Sequence, residues 1–317
     1  MHTDAIVIEQ PERLSLTRLD LDPAADADVV VAVEWSGIST GTERLLWTGR
    51  MPPFPGMGYP LVPGYESVGR VVAAGPAAGV SEGARVFVPG AKCYGAVKGL
   101  FGGAASRLVV PGARVVPVPE DLGEKAVLLA LAATARHALA GRDGAGDAAL
   151  PELVVGHGVL GRLIARLVVA MGGAAPVVWE RDPTRAAGAL GYTVVDPATD
   201  ARRDYRVICD VSGDGAILDA LIGRLAPGGE IVLAGFYEGT VGFDFVPAFL
   251  REVRVRVAAE WRPADLAAVL ALIAEGRLSL DGLITHRSAV TEAEAAYRTA
   301  FGDPTCLKMI LDWRARA

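Results

Sequence analysis

The sequence predicts an α/β protein with a β-rich N-terminal domain followed by a doubly wound parallel sheet. Three observations lead to this fold class. Short β segments separated by Gly and Pro fill residues 1–118, a pattern typical of all-β structure. From about residue 124, buried strands alternate with helices, which indicates a parallel sheet. Within that second part, an apolar strand runs into a glycine-rich turn that opens a helix, as dinucleotide-binding folds require.

The apolar segments, taken in chain order, assign elements to each domain. In the first domain, strands are predicted at residues 5–9, 29–35, 67–73, 85–88 and 107–110. In the second domain, strands are predicted at residues 153–156, 177–180, 207–210 and 230–235, and a helix at 263–275. A last strand, 306–312, is expected to return to the first domain. The predicted domains are therefore 1–118, completed by about 286–317, and 119–285.

The stretch 154–161 reads Val-Val-Gly-His-Gly-Val-Leu-Gly and matches the G-x-G-x-x-G turn. Gly156 is expected to make the tight turn and Gly158 to let the backbone approach a pyrophosphate. Gly161 is expected to let the helix pack closely on its strand. The phosphates then lie at a helix N-terminus. This turn predicts a Rossmann domain.

The end of the next strand indicates which cofactor binds. Glu180 follows that strand at about the 20-residue distance expected of an acid that binds the ribose. Its carboxylate would accept hydrogen bonds from the ribose hydroxyls and repel a 2′-phosphate, which predicts NAD. Arg181 is either a partner for a 2′-phosphate or a solvated surface residue. Further cofactor contacts are predicted from the turn and from later strand ends, at His157, Val159, Leu160, Ser212 and Gly235. His157 is expected either near the pyrophosphate or pointing to solvent.

Composition excludes several classes of protein. The chain has 317 residues, a net charge of −6 and a mean hydropathy of +0.34. No apolar run is long enough to span a bilayer, and the N-terminus lacks the pattern of a signal peptide, so a cytoplasmic enzyme is expected. Three scattered cysteines predict no disulfide framework. The sequence has no basic cluster of the kind that binds nucleic acid, so nucleic acid is not an expected partner. The oligomeric state is not fixed by the sequence, and a homodimer is among the states left open.

Three segments, residues 63–69, 100–110 and 228–235, resemble signature segments of the medium-chain dehydrogenase/reductase superfamily. The resemblance covers the whole chain and implies that the β-rich domain is a GroES-like catalytic domain. Zinc-dependent members of the superfamily carry metal ligands where this chain has Thr40, Tyr65 and Leu129-Ala130. Because zinc needs about four ligands in tetrahedral reach, we predict a protein without a metal.

Residues 35–60, 100–107 and 156–162 resemble a narrower family, the 3-hydroxyethyl bacteriochlorophyllide a dehydrogenases of bacteriochlorophyll synthesis. The resemblance implies NAD-dependent oxidation of the 1-hydroxyethyl group at position 3 of a (bacterio)chlorophyllide to an acetyl group. A tetrapyrrole is therefore the expected binding partner. Two alternatives stay open: a zinc-free quinone or enoyl reductase, and a non-catalytic NAD-binding redox sensor.

Four residues are candidates for moving the proton of the alcohol. The resemblance implies a relay hydroxyl at Thr42, although a threonine there can instead cap the following helix. Glu43 is either a relay carboxylate or an acid that complements the helix dipole. Tyr65 is either a donor or a wall of the site. Glu66 is either a general base or part of a hydrogen-bond network, because a bare buried carboxylate is costly. A hydroxyl relay that ends in a carboxylate is the predicted arrangement.

Loops at residues 52–60 and 90–106 are the predicted contacts for the macrocycle. Aromatic side chains that would stack on its plane are Phe54, Tyr59, Tyr94 and Phe101. Cations that would meet its propionate are Arg44, Arg50, Lys92 and Lys98. The alternative is ordinary surface loops with solvated cations. Thr40 completes the substrate-binding candidates, and the superfamily resemblance implies that Thr134 lies against the nicotinamide.

Overall fold

The protein is described by a computed structural model that covers residues 1–53, 55–141 and 149–316. The strands are β1 (His2–Gln10), β2 (Arg13–Asp20), β3 (Asp28–Ile38), β4 (Leu61–Val62), β5 (Ser67–Ala74), β6 (Arg85–Val88), β7 (Lys98–Gly99), β8 (Arg107–Pro111), β9 (Val116–Pro117), β10 (Leu153–Val155), β11 (Val177–Trp179), β12 (Thr193–Val195), β13 (Tyr205–Asp210), β14 (Leu225–Leu233), β15 (Arg254–Val257), β16 (His286–Ala289) and β17 (Met309–Asp312). The α-helices are α1 (Thr42–Thr48), α2 (Leu129–Leu139), α3 (Val159–Ala170), α4 (Leu218–Ile222), α5 (Phe245–Leu250), α6 (Pro263–Ala274) and α7 (Ala293–Gly302).

The chain forms two compact units, and the first comprises Met1–Ala130 and Leu283–Ala317. It holds a sheet of order β2-β1-β4-β7 and a second sheet of order β16-β17-β3-β5-β6-β9, in which β8 also pairs with β3. The valine-rich strand β3 forms because β-branched side chains suit a pleated, buried surface. Strand β17 pairs antiparallel with β3 and sets Met309 opposite Ile38. The predicted return of the last strand to the N-terminal sheet is confirmed.

The second unit, Leu131–Gly282, holds a six-stranded parallel sheet of order β12-β11-β10-β13-β14-β15. The chain moves outward from β10 to β12, crosses back beside β10 and then moves outward to β15. Ligands of doubly wound sheets bind at the strand ends where the order reverses. The predicted α/β class with a parallel sheet is confirmed, and the reversal lies at β10, directly before the glycine turn.

Seven of the described strands were not predicted from the sequence, namely β2, β4, β7, β9, β12, β15 and β16. Strands β4, β7 and β9 have two residues each, too few to show a periodicity, and β15 has no residue in the buried class. The last strand begins at Met309 rather than at residue 306, because the Cys306 amide donates to the Asp303 carbonyl (3.1 Å) in a turn. None of the helices in the described ranges combines the length and hydropathy needed to cross a bilayer.

Candidate active site

The glycine turn between β10 and α3 has the geometry that its spacing predicts. Gly156 has a φ of 103°, which favours glycine. A Cβ on Gly161 would lie 1.9 Å from the Gly156 carbonyl oxygen, so only glycine lets the helix approach the turn. A Cβ on Gly158, by contrast, would meet no atom within 4 Å. This open space before the N-terminus of α3 fits a dinucleotide pyrophosphate.

Glu180 lies just after β11, and its carboxylate joins the turn to the next segment. Oε2 accepts from the His157 backbone amide (3.1 Å), and Oε1 accepts from the Asp182 amide (2.9 Å). A carboxylate has about four acceptor positions, so two amides leave room for further donors such as ribose hydroxyls. Arg181 beside it is exposed.

The His157 side chain is buried, and both of its ring nitrogens lie within hydrogen-bond distance of protein groups. The residue is 0% exposed, its Nδ1 lies 2.6 Å from the Arg185 carbonyl and its Nε2 lies 2.9 Å from the Tyr192 hydroxyl. Burial lowers its pKa to about 4. The expectation that the ring points to solvent is therefore wrong, and its position relative to a pyrophosphate stays a prediction.

The other cofactor candidates lie at the predicted ends of elements. Val159 and Leu160 begin α3 directly after the turn. Ser212 is exposed after β13, and its amide donates to the Asp210 carboxylate (3.0 Å). Gly235 follows β14 and donates to the Asp210 carbonyl (3.2 Å). Thr134 is half-buried in α2. Their contact with a cofactor stays a prediction.

A chain of three hydroxyls lies in the first unit, at the start of α1. The Tyr65 hydroxyl donates to Ser39 Oγ (2.6 Å), and the Thr42 side chain lies near enough to Tyr65 to lower the pKa of Tyr65. Because the Tyr65 hydrogen is used toward Ser39, a hydrogen bond between Thr42 and Tyr65 would need Thr42 as its donor. The N-cap of α1 is Gly41, and no side chain caps the helix. The capping interpretation of Thr42 is therefore wrong.

Glu43 is fully buried beside these hydroxyls. Its Oε1 accepts from the Ser39 backbone amide (3.1 Å) and its Oε2 from the Tyr297 hydroxyl (2.7 Å). Burial raises its pKa from 4.5 to about 7, although both hydrogen bonds act in the opposite direction. Burial also raises the pKa of Tyr65 above its usual range, and the nearby Glu66 adds to this. Tyr65 therefore stays protonated at neutral pH.

Glu66 forms a buried ion pair with Lys308. The Lys308 ammonium donates to Glu66 Oε2 (2.6 Å) and to the Ile38 carbonyl (3.1 Å), and the exposed fractions of the two side chains are 1% and 0%. Glu66 Oε1 is buried without a hydrogen-bond partner. Burial raises the pKa of Glu66 against the lowering effect of Lys308. Its expected place in a hydrogen-bond network is confirmed.

The three hydroxyls do not run into a carboxylate. Glu43 accepts a hydrogen bond from the backbone amide of Ser39 rather than from its hydroxyl, and Glu66 accepts one from Lys308. The expected relay that ends in a carboxylate therefore lacks its last bond in this structure. Among the described residues, no group of three or more His, Cys, Asp or Glu side chains could hold a metal ion.

Three comparisons with known proteins bear on the family. Residues 25–120 match the model of the alcohol dehydrogenase GroES-like domain. The chain is 57% identical to a 2-desacetyl-2-hydroxyethyl bacteriochlorophyllide A dehydrogenase of Rhodobacter capsulatus over 99% of both chains. It is also 57% identical to the protein of that name from Cereibacter sphaeroides over 100% of both chains. The chain belongs to the 2-desacetyl-2-hydroxyethyl bacteriochlorophyllide A dehydrogenase family.

Solved structures show the same fold at lower identity. L-idonate 5-dehydrogenase from Escherichia coli superimposes with a TM-score of 0.84 at 19% identity, covering 98% of each chain. A 2R,3R-butanediol dehydrogenase from Bacillus subtilis superimposes with a TM-score of 0.82 at 21% identity, covering 98% of this chain and 99% of the other. The resemblance to the bacteriochlorophyllide dehydrogenase family and the expected class, an oxidoreductase acting on CH–OH groups, are confirmed.

The aromatic residues predicted to bind the substrate differ in how far they are buried and in what they contact. Phe101 is half-buried and meets the Tyr65 ring edge to face, with 5.0 Å between centroids. Tyr59 is half-buried, and its hydroxyl donates to the Leu46 carbonyl. Tyr94 is only 5% exposed in the core, so its expected role as a wall of an open cleft is wrong.

The polar substrate candidates are mostly accessible, as a ligand contact requires. Thr40 is half-buried. The cations are all exposed, namely Arg44, Arg50, Lys92 and Lys98. Phe54 lies outside the described residues. Binding of a macrocycle by these side chains stays a prediction.

Sequence reasoning did not find three residues that contact the predicted site residues. Ser39, Tyr297 and Lys308 contact the predicted residues from far along the chain. No spacing rule connects such positions. The only available signal was chemical: two acids in apolar surroundings require donors, and a lysine at the start of an apolar C-terminal strand is a candidate donor.

Proposed function

We propose that the protein oxidises the 1-hydroxyethyl group at position 3 of a bacteriochlorophyllide-type macrocycle to an acetyl group, with NAD as the oxidant. The observation that carries this proposal is the 57% identity over the full chain to two relatives named for a hydroxyethyl bacteriochlorophyllide. In the reaction, the carbinol C–H bond breaks as a hydride leaves, the O–H bond loses its proton and the C=O bond forms. The nicotinamide, when bound, accepts the hydride.

The hydroxyl chain is suited to take up the proton. Tyr65 donates to Ser39, and Thr42 lies beside Tyr65, where its hydroxyl can donate to the Tyr65 oxygen. A proton that Thr42 Oγ1 accepts from the alcohol can pass to Tyr65 and from Tyr65 to Ser39, and Ser39 then has to give up its own proton to a water molecule, because neither buried carboxylate is hydrogen-bonded to these hydroxyls. Tyr65 acts as a neutral relay in this scheme, since its raised pKa excludes a stable phenolate at neutral pH.

The two buried carboxylates, Glu43 and Glu66, help to hold the backbone around Ser39 in place. Glu43 holds the Ser39 backbone amide, and so fixes the residue that receives the Tyr65 hydrogen bond. Lys308 binds both Glu66 and the Ile38 carbonyl, directly before Ser39. We assign Glu43, Glu66 and Lys308 to positioning, because none of their side chains is hydrogen-bonded to a hydroxyl of the chain.

The glycine turn supports NAD as the cofactor. Gly158 offers the open space that a pyrophosphate needs. The Glu180 carboxylate is held by two backbone amides, and its remaining lone pairs can accept the two ribose hydroxyls. A 2′-phosphate would meet the same carboxylate as a like charge, which favours NAD over NADP.

The proposal is tested by incubating the protein with NAD and a hydroxyethyl bacteriochlorophyllide. We expect NADH to form together with a pigment lighter by two hydrogen atoms. NAD binding without turnover would instead support a redox sensor. Reduction of a conjugated C=C bond by NADPH, with no alcohol oxidation, would support the quinone or enoyl reductase.

A further inference from the structure

We propose that His157 is a specificity-determining residue that positions Glu180. Its ring is hydrogen-bonded to the segment 182–185, and the first amide of that segment donates to one oxygen of the Glu180 carboxylate. The inference rests on the proposed use of NAD. His157 acts through Glu180 and is not assigned a contact with the cofactor.

The hydrogen bonds define the state of the ring. The Arg185 carbonyl can only accept, so Nδ1 (2.6 Å away) has to carry the proton. With a pKa lowered to about 4 the ring is neutral at neutral pH, so Nε2 accepts from the Tyr192 hydroxyl (2.9 Å). The Tyr192 ring stands edge to face against the imidazole, with centroids 5.6 Å apart. The ring therefore has one fixed tautomer and one fixed orientation.

Both ends of the Glu180 carboxylate depend on this arrangement. One oxygen accepts from the backbone amide of His157 itself. The other accepts from the Asp182 amide, and Asp182 begins a short turn in which its carbonyl accepts from the Arg185 amide (3.0 Å). The His157 ring holds the carbonyl of that same Arg185. One residue thus fixes the distance between the two amides that orient Glu180.

Arg162 also holds this segment by hydrogen bonds. Buried Arg162 donates through Nε to the His157 carbonyl (3.0 Å) and through Nη2 to the Arg185 carbonyl (2.8 Å). The Arg185 carbonyl therefore keeps one donor when the His157 ring is removed. We expect substitution of His157 to loosen the position of Glu180 without unfolding the unit.

The test compares binding of NAD and NADP by calorimetry in the wild type, His157→Leu and His157→Asn. Leucine removes both ring hydrogen bonds, whereas the asparagine amide can replace the Nδ1 donor to Arg185. We expect His157→Leu to lower the preference for NAD over NADP by about tenfold, and His157→Asn to restore most of it. Tyr192→Phe, which removes only the Nε2 contact, should have a smaller effect than His157→Leu.

A double-mutant cycle separates positioning from general destabilisation. Glu180→Gln removes the charge that discriminates, so His157→Leu in that background should not change the NAD to NADP ratio further. An unchanged ratio in folded His157→Leu, beside an NAD-preferring wild type, would overturn the inference and leave the proposed function intact. A wild type that binds both cofactors equally would overturn the assigned NAD preference itself. If His157→Leu does not fold, Tyr192→Phe takes its place: a lowered preference for NAD there would support the inference, and an unchanged ratio in both folded Tyr192→Phe and His157→Asn would overturn it.

Discussion

The glycine turn and the hydroxyl chain differ in how far apart their parts lie in the sequence. The turn is complete within residues 156–161, and its acid Glu180 lies 23 positions from His157. In the other unit, Tyr65 and Ser39 are 26 positions apart, Glu66 and Lys308 are 242 apart, and Glu43 and Tyr297 are 254 apart. The first region is specified by backbone geometry, and the second by buried charges that depend on distant partners. The two regions should therefore respond differently to substitution.

The largest effect is expected at Lys308. Lys308→Met leaves Glu66 as a buried, unpaired carboxylate, and removal of one partner from a buried ion pair costs about 3–5 kcal/mol. We expect that loss in the free energy of unfolding, measured with a chemical denaturant. The double variant Glu66→Gln/Lys308→Met removes both charges and should recover most of it. A loss below about 1 kcal/mol, typical of exposed pairs, would contradict the buried pair.

The next effect is the pH dependence that Glu43 adds to stability. Its pKa is raised from 4.5 to about 7 in the folded protein, so the folded state binds this proton more tightly than the unfolded state. The resulting stabilisation is fully present below pH 4.5 and is lost as the pH rises through 7. We expect about 3 kcal/mol over this window.

The difference in unfolding free energy between the wild type and Glu43→Gln, followed over this pH window, isolates that contribution. Glu294→Gln, at an exposed acid paired with Arg298, serves as the matched control and should run parallel to the wild type. A Glu43→Gln curve parallel to the wild type would contradict the raised pKa.

Breaking the hydroxyl chain should affect turnover more than stability. Thr42→Val removes the first hydroxyl, and we expect kcat to fall about 100-fold with little change in NAD affinity or melting temperature. Thr48→Val is the control on the same helix, since its hydroxyl only bonds the Arg44 carbonyl (2.9 Å). Equal kcat values for the two variants would remove Thr42 from the reaction.

In the glycine turn, one substitution should lower stability and another should weaken NAD binding. Gly161→Ala places a Cβ 1.9 Å from the Gly156 oxygen, and such overpacking costs about 1–3 kcal/mol of stability. Gly158→Ala meets open space, so stability should stay within about 0.5 kcal/mol of the wild type while NAD binding weakens. Thermal melts and calorimetric titration with NAD measure the two effects. Equal stability losses in both variants would show that the space at Gly158 is not open.

The sequence predicted the features that local chemistry determines. The strand at residues 85–88 and the turn at Gly156 follow from side-chain shape and from glycine alone, and both are present. The donors to Glu43 and Glu66 could not be predicted, because they depend on the pairing of β17 with β3 and on α7. The direction of the His157 ring also needed the fold, since its partners Arg185 and Tyr192 lie 28 and 35 positions further along the chain.

The most direct test of the proposed macrocycle oxidation compares kcat/KM for a hydroxyethyl bacteriochlorophyllide and for 1-phenylethanol, each with saturating NAD. Both are secondary alcohols beside a conjugated ring, and only the first offers a large surface whose binding energy can orient the reacting carbon. We predict a preference for the macrocycle on the order of 1,000-fold or more. Equal kcat/KM values for the two alcohols would contradict the proposed function.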